Sequence, residues 1–172
     1  MNFQEVVKRD PSVKYFLKQC RGKQKLIFIT YNGKVEGVIE KVLKYHLRVQ
    51  GRKESLHKVH ILFVCKPDTS DAVGRVLGFD QEVLDEHLEP PLQPSERLEI
   101  PPEVLQQCVD EKRPIEVTLR NGYVLRGRIH SYGIFSIRLE VGENARVIIM
   151  RPNIYDLNHR VPSSSPPQEQ PT

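Results

Sequence analysis

The chain has 172 residues, 38% hydrophobic, 28% charged and 7% aromatic, with no Trp and a formal net charge of +4. That composition suits small hydrophobic cores. No run of about 18 apolar residues occurs, which excludes a membrane-spanning helix, and the charged stretch Met1 to Asp10 stands where a secretory signal would be apolar, so a cytoplasmic location is expected. In chain order, the first predicted element is a helix over Pro11 to Cys20. A hairpin follows from Lys25 to Glu40, with Asn32-Gly33 supplying the positive φ of a tight turn. Further strands are expected over Leu43 to Val49 and Lys58 to Cys65. Residues 68–100 read as an acidic connector in which Ser70 or Asp71 caps an amphipathic helix carrying Val73, Val76, Leu77, Val83, Leu84 and Leu88, ended by Pro90-Pro91. This connector is either an ordered spacer on a domain surface or an acidic flap over the basic first segment.

The grammar then repeats. A helix is predicted over Pro101 to Val109, with Pro in its first turn. The second hairpin turns at Asn121-Gly122, and its first strand alternates Ile115, Val117 and Leu119 with Glu116, Thr118 and Arg120. Strands are expected over Ile134 to Val141, Arg146 to Ile149 and Ile154 to Leu157. Gly37 and Gly127 sit at similar places after the two turns, where a strand glycine marks a bulge or bend. The Pro- and Ser-rich tail, residues 162–172, is expected to be disordered.

Charge is unevenly spread. Met1 to Pro67 holds 15 Lys and Arg against 5 Asp and Glu, a net of +10, whereas Asp68 to Ile100 holds 2 against 9, a net of −7. A basic module of this kind points to a polyanionic partner. Cys20, Cys65 and Cys108 are odd in number and lack a CxxC pair, so they are read as small buried hydrophobes. His57 and His60, on opposite faces of an expected strand, do not suggest a metal site. No nucleophile, carboxylate pair or phosphate loop indicates catalysis, and no cofactor is implied.

The repeated unit resembles the Sm fold. In the second copy, the run Pro114, then Val-Thr-Leu-Arg-Asn-Gly, the spaced Gly127, Tyr132-Gly-Ile-Phe-Ser-Ile and a last strand from Ile154 is similar to the bacterial RNA chaperone family Hfq. The resemblance implies a mainly β protein of two tandem five-stranded bent antiparallel barrels, each preceded by a helix: residues 1–67 and 101–161, joined by 68–100. It implies a non-enzymatic post-transcriptional regulator that presents single-stranded, U-rich or A-rich RNA on a ring. By residue, it places Lys44, Tyr45, His57, Lys58, Phe135 and Arg151 on a proximal RNA face, where aromatic rings stack bases. It places Lys18, Arg21 and Lys23 on a phosphate-contacting rim, and Tyr123 and Leu125 on a distal face. Thr118 stands where that distal face carries an aromatic, and Asp110 and Glu111 precede Lys112 and Arg113 at the second rim. The competing reading is a protein-interaction scaffold that keeps the ring and has lost RNA affinity.

Assembly follows from edges. A barrel of about 60 residues is marginally stable alone, and its open strands invite pairing. Two copies per chain make a homotrimer the natural pseudo-hexameric ring. A flexible connector would span on the order of 30 Å, enough to reach a neighbouring barrel. Stacked rings of like copies would concentrate the +10 segments.

Overall fold

The computed structural model describes residues 2–160; the Pro- and Ser-rich tail lies outside them. The first segment comprises α1 (Phe3–Arg9), α2 (Pro11–Arg21), β1 (Lys25–Thr30), β2 (Gly33–Val42), β3 (His46–Val49), β4 (Leu56–His57), a 3-10 turn (Lys58–His60) and β5 (Ile61–Cys65). The connector holds α3 (Ser70–Val76), β6 (Gly78–Phe79) and α4 (Gln81–Asp85). The second segment is α5 (Pro102–Asp110), β7 (Pro114–Leu119), β8 (Tyr123–Tyr132), β9 (Ser136–Val141), β10 (Ala145–Met150), a 3-10 turn (Arg151–Asn153) and β11 (Ile154–Asn158).

All strands join one open antiparallel sheet in the order β11-β7-β8-β9-β10-β5-β1-β2-β3-β4, with β6 added beside β8. Each segment pairs its strands in the same order, fifth, first, second, third and fourth. The strands thus make one open sheet where two barrels were expected, and the two segments meet at a single junction. β5 uses one edge on β1 and the other on β10, with Ile148 opposite Val64 and Ile149 opposite Phe63. Each of these strands would otherwise leave a row of amides unpaired.

Local chemistry explains the elements. α2 starts where the Asp10 carboxylate accepts from Ser12 N at 2.8 Å and Pro11 needs no partner for a missing amide. At both hairpin turns the positive φ falls on the glycine alone, Gly33 at 111° and Gly122 at 93°, and the asparagines keep ordinary geometry. Gly127 serves close approach: a Cβ there would lie 2.0 Å from the Glu140 carbonyl oxygen. The strand expected from Lys58 is broken by a 3-10 turn, because the His57 imidazole accepts from Val59 N at 3.2 Å and caps it. The connector forms two short helices separated by β6. Asp80 caps the second, and its own amide donates to the Gly122 carbonyl.

The connector is hydrogen-bonded to the second segment and also reaches the first, where Arg97 lines a cavity with Lys44, Tyr45 and Lys58. Arg120 donates to the carbonyls of Glu89 and Glu96, and the Tyr155 hydroxyl donates to Glu86. Of the connector's acidic side chains, that of Glu86 bonds the balanced module. All three cysteines are free; Cys65 and Cys108 are buried and Cys20 is half-buried.

Two cores form, and each crosses the segment boundary. One gathers second-segment residues such as Leu105, Val117, Leu139 and Ile149 together with Ile27, Leu62, Phe63 and Cys65. The other gathers Phe16, Phe28, Leu47 and Val64 together with Ile148 and Met150. Asn153, fully buried, fastens the two 3-10 turns: its amide donates to the carbonyls of Val59 at 2.8 Å and Ile61 at 2.6 Å, and its oxygen accepts from Tyr31 at 2.6 Å. Replacing Asn153 by Ala strands two buried carbonyls and the part-buried Tyr31 hydroxyl. Urea denaturation should show a loss of about 2–4 kcal/mol, well above that of an exposed polar substitution.

Candidate functional site

The turns that follow β3's approach and β4 converge with the second segment's β8–β9 turn. Lys44 and Tyr45 lie between β2 and β3, with Tyr45 57% exposed and the Lys44 ammonium 5.0 Å from its ring centre. Lys58 fixes that loop, donating its backbone amide to the Tyr45 carbonyl at 2.8 Å and its ammonium to the Lys44 carbonyl at 3.1 Å. Phe135 faces them from the second segment, its amide held by Asp10 Oδ2 at 2.6 Å and its carbonyl by the Arg151 amide at 2.9 Å. Val13 and Phe16 of α2 supply an apolar wall, and Met150 and Pro152 another.

Together these residues surround a cavity of about 340 Å³, also lined by His57 and Arg97. Lys44, Lys58 and Arg97 bring three cations to it, and among the described residues no carboxylate lines it. Asp10, the nearest acid, is fully buried behind it and accepts from Ser12, Phe135 and Ser136. Gly133 permits that approach, since a Cβ there would lie 2.9 Å from Asp10 Cα and 2.7 Å from Pro11 Cδ. Chemically, the cavity offers aromatic faces for a flat ring and cations for an anion.

Burial tunes these groups. It pushes the Lys58 ammonium down to about 8, against the attraction of Asp10. It lowers His57 as well, reinforced by His46, His60 and Arg97. The 3-10 turn brings the His57 and His60 rings together at 5.4 Å, where a strand would have separated them, and His46 meets His57 at 4.5 Å. Among the described residues no group of three or more His, Cys, Asp or Glu could hold a metal.

The structure thus gathers Lys44, Tyr45, His57, Lys58 and Phe135 into one place. Arg151 stands just outside it: burial lowers its pKa, and its guanidinium donates to the Gly133 carbonyl at 2.6 Å. Lys18, Arg21 and Lys23 are exposed on α2 and just beyond, and take part in none of the ion pairs among the described residues. The distal pair is not an open face. Leu125 is fully buried, and Tyr123 is covered edge-on by Phe79 of β6, ring centres 5.2 Å apart. Connector pairing on β8 thus occupies the surface that Tyr123 was expected to offer. Arg97, Asp10 and Asn153 are the residues that sequence reasoning missed; Arg97 is one of two cations in an acidic stretch.

No protein-family model matches the sequence, and no curated protein matches it.

Since the fold favours neutral Lys58, the folded chain binds fewer protons than the unfolded one between pH about 8 and the ordinary lysine value of 10.5. Lys58 therefore costs stability below pH 8, and the cost fades as pH rises through that window. Denaturation of wild type and Lys58→Met should show the variant more stable at pH 7, with the difference shrinking by pH 10. A pH-independent difference would contradict a depressed Lys58.

Proposed function

We propose that the chain is a non-enzymatic RNA-binding protein of the Sm type, built from two tandem Sm-like units, that holds single-stranded RNA and acts as an RNA chaperone or post-transcriptional regulator. The observation that carries this reading is the cavity at the junction, where Tyr45 and Phe135 face a space shared with Lys44, Lys58 and Arg97 and no carboxylate among the described residues. Base stacking there contributes about 1–3 kcal/mol per base, and the cations neutralise phosphates. The exposed Lys18, Arg21 and Lys23 extend a basic path along α2. The same strand order in both segments supports the tandem reading. The scaffold reading has one observation in its favour: the Lys58 and Arg97 donors are already engaged by backbone carbonyls.

Fluorescence titration of U-rich and A-rich oligonucleotides at several salt concentrations separates the two. Tyr45→Ala with Lys58→Ala should weaken binding by about tenfold or more, from lost stacking and one lost phosphate contact. Lys18→Glu with Arg21→Glu should weaken both oligonucleotides alike, because phosphate contacts carry no base information. Wild-type binding weaker than roughly 10 μM at low salt, poorer than ordinary non-specific binding, would favour the scaffold.

The assembly proposed is a homotrimeric ring. β4 and β11 are the end strands of the sheet, the first segment's fourth and the second segment's fifth. The β10–β5 junction joins a fourth strand to a fifth within one chain, and repeating it between chains would pair the remaining two. Light scattering should give about three times the 19.9 kDa chain, and Leu157→Pro, which removes an edge donor on β11, should return monomers. A wild-type monomer or a mass near six chains would refute this ring.

A further inference from the structure

A second cavity, of about 410 Å³, opens at the other end of the junction between α2 and the β9–β10 hairpin. Its cations are Lys66, Arg138 and Arg146, and its carboxylates are Asp68 and Glu140. Glu140 is already answered by Arg146 at 3.1 Å and by His130 at 3.2 Å. Arg138 is not answered. Its Nε is buried without a hydrogen-bond partner, it joins no ion pair among the described residues, and its guanidinium lies 5.4 Å from the Tyr15 ring centre. Ser131 stands opposite Arg138 in the strand register, and its hydroxyl is likewise buried without a partner. Two unsatisfied polar groups side by side, one of them a guanidinium, are costly in a fold that satisfies nearly all others. An anion in the cavity would compensate the guanidinium's charge through its other nitrogens.

We propose that this cavity binds a phosphate group, through Arg138 with Lys66 and the Tyr15 hydroxyl, the phosphate coming either from an RNA backbone or from a free phosphorylated molecule. Arginine's planar fork suits phosphate oxygens, and stacking on Tyr15 holds the fork in place. Burial lifts the Tyr15 pKa to about 12, so its hydroxyl stays a neutral donor. The Asn144 amide, presented by a turn with positive φ at Gly142 and Asn144, borders the same space. The RNA source rests on the function proposed above, whereas the free-phosphate source does not.

Thermal unfolding of the full chain tests it, with about 10 mM inorganic phosphate against chloride at matched ionic strength, since a ligand of the folded state raises Tm by mass action. Wild type should gain stability and shift the Arg138 Nε–H NMR signal; Arg138→Gln and Lys66→Ala should gain less, with phosphate affinity down about tenfold for the loss of a charge-assisted hydrogen bond. No Tm gain and no shift in wild type would overturn the proposal, as would an equal gain in Arg138→Gln. If the gain holds and Arg138→Gln also weakens oligonucleotides of every sequence, the phosphate is the RNA backbone's. If the gain holds with RNA affinity unchanged, or with no RNA binding by wild type, the phosphate is free; the last result sinks the proposed function and leaves this site standing.

Discussion

The antiparallel pairing of β5 with β10 is the contact on which the rest of the molecule depends. β5 is buried at all five positions, because it has a strand on each edge and a core on each face. Its side chains are shared between the two cores: Leu62, Phe63 and Cys65 join one and Ile61 and Val64 the other. β10 does the converse, sending Ile148 and Met150 into the core that contains Phe16 and Phe28. Units of about 60 residues bury too little surface to be robust alone. Each here borrows the missing surface from the other, so the junction belongs to folding before it belongs to any site.

That constraint also positions the cavity. Both β5 and β11 are entered through a 3-10 turn, and Asn153 ties one turn to the other with two hydrogen bonds and accepts a third from Tyr31. Lys58 and Arg151 sit in these turns and so have fixed places relative to each other. Asp10 does the equivalent work on the helix side, where one buried carboxylate caps α2 and holds the Phe135 turn. A carboxylate with this many donors is well compensated for its burial. Because Asp10 is buried, the cavity's lining is left with cations and no carboxylate among the described residues.

Much of the fold was legible in the sequence, because it rests on local signals. Two Asn-Gly turns, strand glycines at matching places and a proline-initiated helix before each hairpin announced the repeat, and the element boundaries fall within a few residues of those signals. The proximal candidates were legible for the same reason: Lys44-Tyr45 and Phe135 occupy equivalent turns. The illegible parts are long-range. Nothing near Arg97 says that a residue from an acidic connector will reach a cavity built by β4 and the β8–β9 turn. Nor does Tyr123 announce that two residues of connector, Gly78 and Phe79, will pair with β8 and cover it. The strand expected through Lys58 gives way to a 3-10 turn capped by one side-chain hydrogen bond, from the Val59 amide to His57.

The connector gives the tandem arrangement a property that separate copies could not have. It runs from the end of β5 to the start of α5, pairs with β8, accepts hydrogen bonds from Arg120 and delivers Arg97 to the junction cavity. Arg97 is held there by the carbonyls of Pro91 and Leu92, so a rigid Pro90-Pro91 stretch sets its reach. In an assembly of identical single-unit chains every junction carries the same side chains. Here the junction lies within the chain and receives the connector's cation. The junction between the two segments therefore carries side chains from three parts of the chain, the connector's cation among them.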